Sequence, residues 1–286
     1  MPTYTAVVPT YRCERDALLS LLRSLECRPS QVVVADDASP CTADTALKAA
    51  ADAGAVVVRH RRNAGIARSL NDGLRFAADL GAMWLLTVDQ DSVLAPDHVD
   101  LLLAAADDAA HALGQGRVGA VAASMIDDAS GELGYPVTWR HGIATTEEVI
   151  QTGTLWAVDA LIALGGFDES LGIDAVDAAA CLALRSAGMS IVLAPGLRME
   201  HRIGEGRQVR VLGRRVLASG HGPERRTTIV RNRLRLFPGE FAQSPSHAIR
   251  TLRRVVVQTG LAVTVEDDRW AKAKAAAKGL RPHRNG

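Results

Sequence analysis

The stretch Trp84-Leu-Leu-Thr-Val-Asp-Gln-Asp-Ser92 runs an apolar and β-branched segment straight into two carboxylates, Asp89 and Asp91, separated by one residue. The apolar part is too short for a typical helix and reads as a strand buried on both faces of a parallel sheet. A strand ending in Asp-x-Asp delivers its carboxylates to the carboxyl edge of the sheet, where α/β folds place their ligands. Where such a strand breaks into a loop, both carboxylates can converge on one point. They then repel each other unless a cation lies between them, and hard oxygen ligands favour Mg²⁺ or Mn²⁺. An isolated Asp-x-Asp is equally compatible with a solvated acidic turn, so the neighbouring segments decide.

Upstream, the same pattern recurs. Tyr4–Thr10 reads as a strand, Asp16–Leu25 as a helix with leucines at helical spacing, and Gln31-Val-Val-Val-Ala-Asp-Asp37 as a second strand ending in carboxylates. An alanine-rich helix over about 42–53 closes at Gly54. A third strand, 55–59, leads through His60-Arg-Arg-Asn-Ala-Gly65 into a helix that ends near Leu80. This alternation predicts a doubly wound, mostly parallel central sheet flanked by helices. Polar groups stand at each strand's carboxyl end: Thr10 and Arg12, Asp36 and Asp37, Arg61 and Asn63, then Asp89 and Asp91. No Gly-x-Gly-x-x-Gly follows the first strand and no Gly-x-x-x-x-Gly-Lys-Ser/Thr occurs, which removes most support for a dinucleotide oxidoreductase or a P-loop NTPase. Asp36 has the acceptor-only chemistry to receive the imide N–H of uracil or thymine.

Downstream the pattern is less regular. A helix is expected from about 96 to 113, a strand over 118–123, and a loop-rich passage over 127–142. A strand over 149–158 is interrupted at Gly153, where another molecule can approach the backbone. A helix from Asp174 to Arg185 carries Asp174 and Asp177 in its first turn, and a last short strand spans 191–194. From Arg207 to Arg235 nine arginines (207, 210, 214, 215, 225, 226, 231, 233 and 235) face one acid, Glu224. The part from Arg225 to Phe237 reads as a basic amphipathic helix suited to an anionic membrane surface or a phosphate-bearing partner. The tail from Lys272 reads as frayed.

Bulk properties bound the alternatives. With 48% hydrophobic and 23% charged residues the chain has the composition of a globular protein with a sizeable core. A net charge of +1 argues against a cationic nucleic-acid binder. Cys13, Cys27, Cys41 and Cys181 show neither zinc-ligand nor disulfide-framework spacing, which makes reduced thiols in a cytoplasmic protein the simpler expectation. No run approaches the roughly 20 apolar residues of a membrane span, and Met1–Thr5 lacks the features of a signal peptide.

Taken in order, Val8-Pro-Thr-Tyr, Val34-Ala-Asp-Asp-Ala-Ser, Asn63-Ala-Gly-Ile-Ala with Asn71-Asp-Gly, Leu85–Ser92, Gly165-Gly-Phe-Asp-Glu, the Asp174/Asp177 helix and His201 near Gly204 resemble the inverting glycosyltransferase family 2. Val88-Asp-Gln-Asp-Ser and Gly172-Ile-Asp-Ala-Val-Asp resemble its bacterial rhamnosyltransferases most. The resemblance implies a GT-A fold over 1–204, with a nucleotide-sugar half (about 1–95) and an acceptor half (about 96–204). A basic, mainly helical extension would occupy 205–286. It also implies that Thr10, Tyr11, Arg12, Asp36, Asn63, Gly65, Arg68, Asp89 and Gln90 bind the nucleotide sugar. Asp89, Asp91 and His201 would hold Mn²⁺ or Mg²⁺, and Thr152, Gly153 and Trp156 would meet the acceptor. Asp177, with Asp174 as the alternative, would be the catalytic base. Val176 and Ala183 depart from the residues more frequent in the family at those places, which keeps the choice of base open.

The implied reaction moves L-rhamnose from dTDP-L-rhamnose to a hydroxyl of a cell-envelope glycan or a polyprenyl-diphosphate-linked acceptor, with inversion. A peripheral contact with the inner face of the plasma membrane would run through the arginine-rich segment. Galactofuranosyl or other hexosyl transfer from a UDP-sugar uses much the same parts. A non-catalytic sugar-nucleotide or glycan-binding module is the non-enzymatic alternative, and a nucleotidyltransferase lacks its glycine-rich basic loop after the first strand.

Overall fold

In the computed structural model, β1 (Tyr4–Thr10), α1 (Arg15–Ser24), β2 (Gln31–Asp36), α2 (Asp44–Asp52), β3 (Val56–Arg59), α3 (Ile66–Asp79) and β4 (Trp84–Thr87) follow one another as the alternation predicts. Residues 3–25, 29–127, 134–201, 207–211, 214–218 and 220–281 are described, although not the side chains of 125–127, 200–201, 207–211 and 214–218. Two units are distinguished, residues 1–124 with 135–199, and residues 125–134 with 200–286.

In the first unit the apolar strands are continuous because both faces of the sheet are covered. Ala6 and Val8 of β1 enter a core with Leu18 and Leu21 of α1 and Leu47 of α2. Val7 points the other way, to Leu70 and Leu74 of α3. This is the two-residue side-chain period of a strand. β1 pairs in parallel with β2 and β4, and β2 with β3, in a register that sets Thr10 beside Asp36 and Asp36 beside Arg59. Gly73 lets α3 lie directly on β1, since a Cβ there would stand 2.3 Å from the Cβ of Val7.

The remaining strands are β5 (Val118–Asp127), β6 (Thr138–Arg140), β7 (Ile143–Thr146), β8 (Thr154–Ala157) and β9 (Ser190–His201). With α4 (His98–Leu113), α5 (Val158–Ala163) and α6 (Val176–Ser186) they complete a nine-stranded sheet in the order β3-β2-β1-β4-β8-β5-β9-β7-β6. The sheet is parallel through β4. There β8 inserts antiparallel to both β4 and β5, and the β7 edge is antiparallel to β9 and β6.

Several expectations need correction. Part of the loop-rich passage, 138–140, is an exposed edge strand without apolar alternation to announce it. Residues 151–153 are a turn, so only Thr154–Ala157 of the strand expected over 149–158 is a strand, followed directly by α5. The helix expected from Asp174 begins at Val176, because Asp174 and Ala175 both take left-handed conformations, with φ of 66° and 63°. β9 runs on through Pro195, past the expected end at 194.

The second unit contains an antiparallel hairpin, β10 (Arg207–Val211) with β11 (Arg214–Ala218), and three helices, α7 (Pro223–Gln243), α8 (Pro245–Thr264) and α9 (Arg269–Gly279). The basic amphipathic helix is the first part of α7, which continues through Pro238, and its Arg226 is buried among the helices at 1% exposure. The tail expected to be frayed from Lys272 is helical to Gly279, and residues 282–286 lie outside the described residues. Lys272, at the start of α9, is buried and donates from Nζ to Glu266 Oε2 at 2.9 Å, while Glu266 Oε1 accepts the N–H of Gly220 at 3.1 Å. Burial acts to raise the Glu266 carboxyl pKa, but the bonds from Lys272 and Gly220 outweigh it and leave it below its ordinary value. That contribution is therefore complete above the ordinary carboxylate range and disappears as pH falls through the lowered value. Lys272→Met strands a buried carboxylate and is expected to cost about 3–5 kcal/mol at neutral pH, with a smaller penalty in acid. Denaturant titration of the full chain at both pH values checks this, and equal stability at neutral pH would mean the pair is effectively solvated. No helix among the described residues is long and apolar enough to cross a membrane.

Candidate active site

The strand order reverses between β1 and β4: the chain moves outward from β1 through β2 and β3, then returns to the other side of β1. Ligands in open α/β sheets bind at the crevice this reversal opens beyond the carboxyl ends of the strands. Here Tyr11 and Arg12 follow β1, and Asp89, Gln90 and Asp91 follow β4. Gln90 bridges the two sides. Its Oε1 accepts the N–H of Tyr11 at 2.8 Å and its Nε2 donates to the Tyr11 carbonyl at 3.2 Å. The amide thus supplies a short rung of backbone-like pairing just beyond the last strand residues.

Asp36 lies at the end of β2 and is completely buried. Its Oδ1 accepts Thr10 Oγ1–H at 3.3 Å and the Ser39 hydroxyl, and its Oδ2 accepts Ser39 N–H at 3.0 Å and faces Arg59 Nε at 3.5 Å. Its lone pairs are used inside the protein, so the expectation of an open acceptor for a nucleobase is not met. A strand-end aspartate followed by a serine three residues on closes a local turn instead. Ser39 Oγ also accepts the N–H of Arg12, which has a left-handed φ of 54° and lies with its guanidinium 5.1 Å from the centre of the Tyr11 ring. Tyr11, 43% exposed, is the aromatic face that this turn offers to the crevice.

Asp37 holds the next loop. Its carboxylate accepts the N–H groups of Ala64 and Gly65 at 2.7 and 2.8 Å, and its carbonyl accepts Asn63 Nδ2–H at 3.3 Å. Gly65 has φ 91°, and a Cβ on it would stand 2.4 Å from the Gly172 carbonyl oxygen. The loop after β3 therefore rests on the backbone of the loop that leads to Asp174 and Asp177. Arg68 is half-exposed and shared between Asp72 and Glu169, at 3.6 and 3.5 Å. Asn71 locks the Gly165–Glu169 turn by exchanging hydrogen bonds with the N–H and carbonyl of Phe167, at 2.8 and 2.9 Å.

At the end of β4, Asp89 Oδ1 accepts the Gln151 side-chain amide, and Asp89 N–H donates to Thr152 Oγ1 at 2.9 Å. Asp91 is exposed and has no hydrogen-bond or ion-pair partner among the described residues. An unpartnered hard carboxylate beside a second, pinned one fits a Mg²⁺ or Mn²⁺ site. His201 ends β9, and its side chain lies outside the described residues.

The acceptor residues require a second correction. Thr152 is buried, with its Oγ1 also 3.2 Å from Ser92 Oγ. The space beside Gly153 (φ 68°) is filled by Met199 Sδ and the His98 ring, 2.6 and 3.1 Å from an added Cβ. His98 Nε2–H donates to the Gly153 carbonyl at 3.0 Å, and burial lowers the pKa of that imidazole. Trp156 is wholly buried, edge-on to Phe167, and donates from Nε1 to Thr87 Oγ1 at 2.9 Å. All three support the end of β4 from below and present nothing to an acceptor.

Asp177 stands in the first turn of α6, half-buried, with Oδ1 accepting the N–H of Ala178 at 2.8 Å. The consecutive left-handed residues before it are a local strain of roughly 1–3 kcal/mol each for non-glycine residues, of the kind that accumulates at functional sites. Gln151, Ser39, His60 and Asp72 hold the site together without having been singled out in the sequence. Their one signal was position, each a few residues from a strand end or on the first turns of α3.

Residues 5–129 match the family model described as Glycosyl transferase family 2. The dTDP-rhamnosyl transferase RfbF of Shigella flexneri is 28% identical in an alignment of 242 residues that covers 79% of this chain and 77% of that protein. Among solved structures, S. aureus TarS 1-349 in complex with UDP-GlcNAc matches with a TM-score of 0.61 at 16% identity, over 97% of this chain and 80% of that one. S. aureus TarS 1-349 gives 0.59 at 16% identity, over 96% of this chain and 78% of that one. The fold is that of the GT-A glycosyltransferases.

Proposed function

We infer, for a chain whose residues 5–129 match the model described as Glycosyl transferase family 2, an inverting, metal-dependent transfer of L-rhamnose from dTDP-L-rhamnose to a hydroxyl of a cell-envelope glycan or lipid-linked acceptor. The observation that carries this reading is the crevice between β1 and β4, with an exposed aromatic on one lip and an unpartnered carboxylate, Asp91, on the other. The rhamnosyl choice draws its support from the relative named a dTDP-rhamnosyl transferase.

In this reading the Tyr11 ring stacks on the pyrimidine, and the Thr10–Arg12 turn, shaped by Asp36, receives it. Asp91 and Asp89 would hold Mg²⁺ or Mn²⁺. Such a cation supplies Lewis-acid stabilisation for the charge of a departing diphosphate. Gln151 and Thr152 keep Asp89 in place. Asp177 takes the proton of the acceptor hydroxyl as that oxygen attacks the anomeric carbon, which gives one inversion. Asp174 is the alternative base.

A thermal-shift screen of dTDP-rhamnose, UDP-galactofuranose and UDP-glucose with Mn²⁺ tests the reading. The largest rise is expected for dTDP-rhamnose, since a ligand at about 100 times its Kd adds about 2.7 kcal/mol to folding stability. A larger rise with either UDP-sugar would replace the rhamnosyl assignment, and no rise with any would sink the donor site.

A further inference from the structure

Neither the family pattern nor the mechanism above uses His60, yet it is one of the most constrained side chains at the carboxyl edge. Its Nδ1 lies 2.9 Å from Asp37 Oδ1 and its Nε2 lies 2.6 Å from Asp72 Oδ2, with all three side chains largely buried. Carboxylates are acceptors only, so both ring nitrogens must donate, which only the imidazolium does. A neutral ring would turn one lone pair against a carboxylate oxygen. The backbone N–H of His60 is also tied, to the Asp36 carbonyl at 2.9 Å.

Among the described residues, three arginines also pair with carboxylates around this group. On α3, Arg75 and Arg68 both reach Asp72, and Arg68 also reaches Glu169. Arg59, its chain neighbour, is spent on Asp36 and Asp44. Asp72 thus has arginines besides His60, whereas among the described residues the only cationic side chain paired with Asp37 is His60. Asp37 is the carboxylate that gathers Ala64 and Gly65 and so fixes the loop resting on Gly172.

We propose that His60, as an imidazolium clamped between Asp37 and Asp72, is a positioning residue for the donor nucleotide, holding the 60–65 loop in its binding shape. This rests on the nucleotide-sugar reading above. The clamp spans three elements: the end of β2, the loop after β3, and the second turn of α3. Burial alone would lower the pKa of the imidazole; the hydrogen bonds to Asp37 and Asp72 outweigh burial and raise it. A raised value means that the clamp is complete below the ordinary histidine range and is lost as pH rises through the raised value. Nucleotide affinity should therefore weaken on the alkaline side.

The test uses the full chain at fixed Mg²⁺, with dTDP as the probe. Calorimetric binding is measured across neutral to alkaline pH, alongside NMR titration of the His60 ring and the Ala64 and Gly65 amides. In the wild type, dTDP affinity and both amide signals are expected to change with the His60 midpoint. His60→Gln is expected to bind dTDP roughly ten- to a hundred-fold more weakly at neutral pH, as misplaced binding groups do, and to lose the alkaline decline. Asp72→Asn removes one of the two clamping carboxylates and should move the midpoints of all the curves to lower pH. Amides that ignore the His60 titration, or an alkaline decline that survives in His60→Gln, would overturn this inference while leaving the donor site standing. A wild type that binds neither dTDP nor UDP at any pH would overturn both.

Discussion

Asp91→Ala is expected to lower sugar transfer by roughly 10²–10³-fold, the loss typical of removing one preorganised group that stabilises developing charge. The same change should leave folding stability within about 0.5 kcal/mol of the wild type, because Asp91 is exposed and touches no partner among the described residues. That separation of activity from stability distinguishes a ligand carboxylate from a structural one. Asp89 does not offer so clean a test, since it is bonded to Gln151 and Thr152 and its loss would disturb the end of β4. The measurement is a transfer assay with dTDP-rhamnose over a range of Mn²⁺ and Mg²⁺ concentrations, paired with a denaturant titration. Turnover equal to the wild type, with the same metal dependence, would move the cation away from this pair.

Asp177→Asn should separate binding from chemistry. Asparagine keeps the shape and can still accept the N–H of Ala178, but it cannot take a proton from the acceptor. Loss of a general base costs about 10²–10⁴ in kcat, and dTDP affinity should stay within about two-fold of the wild type. Retained transfer would shift the role to Asp174, whose left-handed backbone sets it immediately ahead of α6. A parallel loss of dTDP affinity would instead mean that the first turn of α6 supports the donor through Gly172 and Gly65.

The first half of the sheet was legible because β1, β2 and β4 are largely buried on both faces and each strand is separated from the next by a helix with an apolar stripe. The sequence leads directly from those runs to the order of elements through β4. β6 was not legible, since an exposed three-residue edge strand has no periodicity to read. A mainly helical extension was expected, but α8 and α9 were not resolved within it because their buried faces include polar and charged groups such as Lys272, whose partner, Glu266, cannot be paired with it before the fold is known. The site shows the same division. Carboxylates at strand ends announce themselves by position. Thr152, Gly153 and Trp156 looked like ligand contacts because a glycine that admits a ligand and one that admits Met199 and His98 read identically in one dimension. Asp36 looked like an open acceptor for the same reason: Ser39 and Arg59 come to it only once β2 and β3 are paired.

β8, from the second half of the chain, is the strand that covers the outer side of β4, and the turn before it supplies the groups that hold Asp89. The loop around Gly65 likewise leans on Gly172, more than a hundred residues away in sequence. The two halves expected from the sequence, about 1–95 and 96–204, are therefore not separable modules. Grafting residues 1–95 onto a related chain would carry the strand-end carboxylates but leave behind Gln151, Thr152 and Gly172. For anyone wishing to redirect sugar preference, the smallest transferable piece is a spatial shell drawn from both halves, not a segment of sequence.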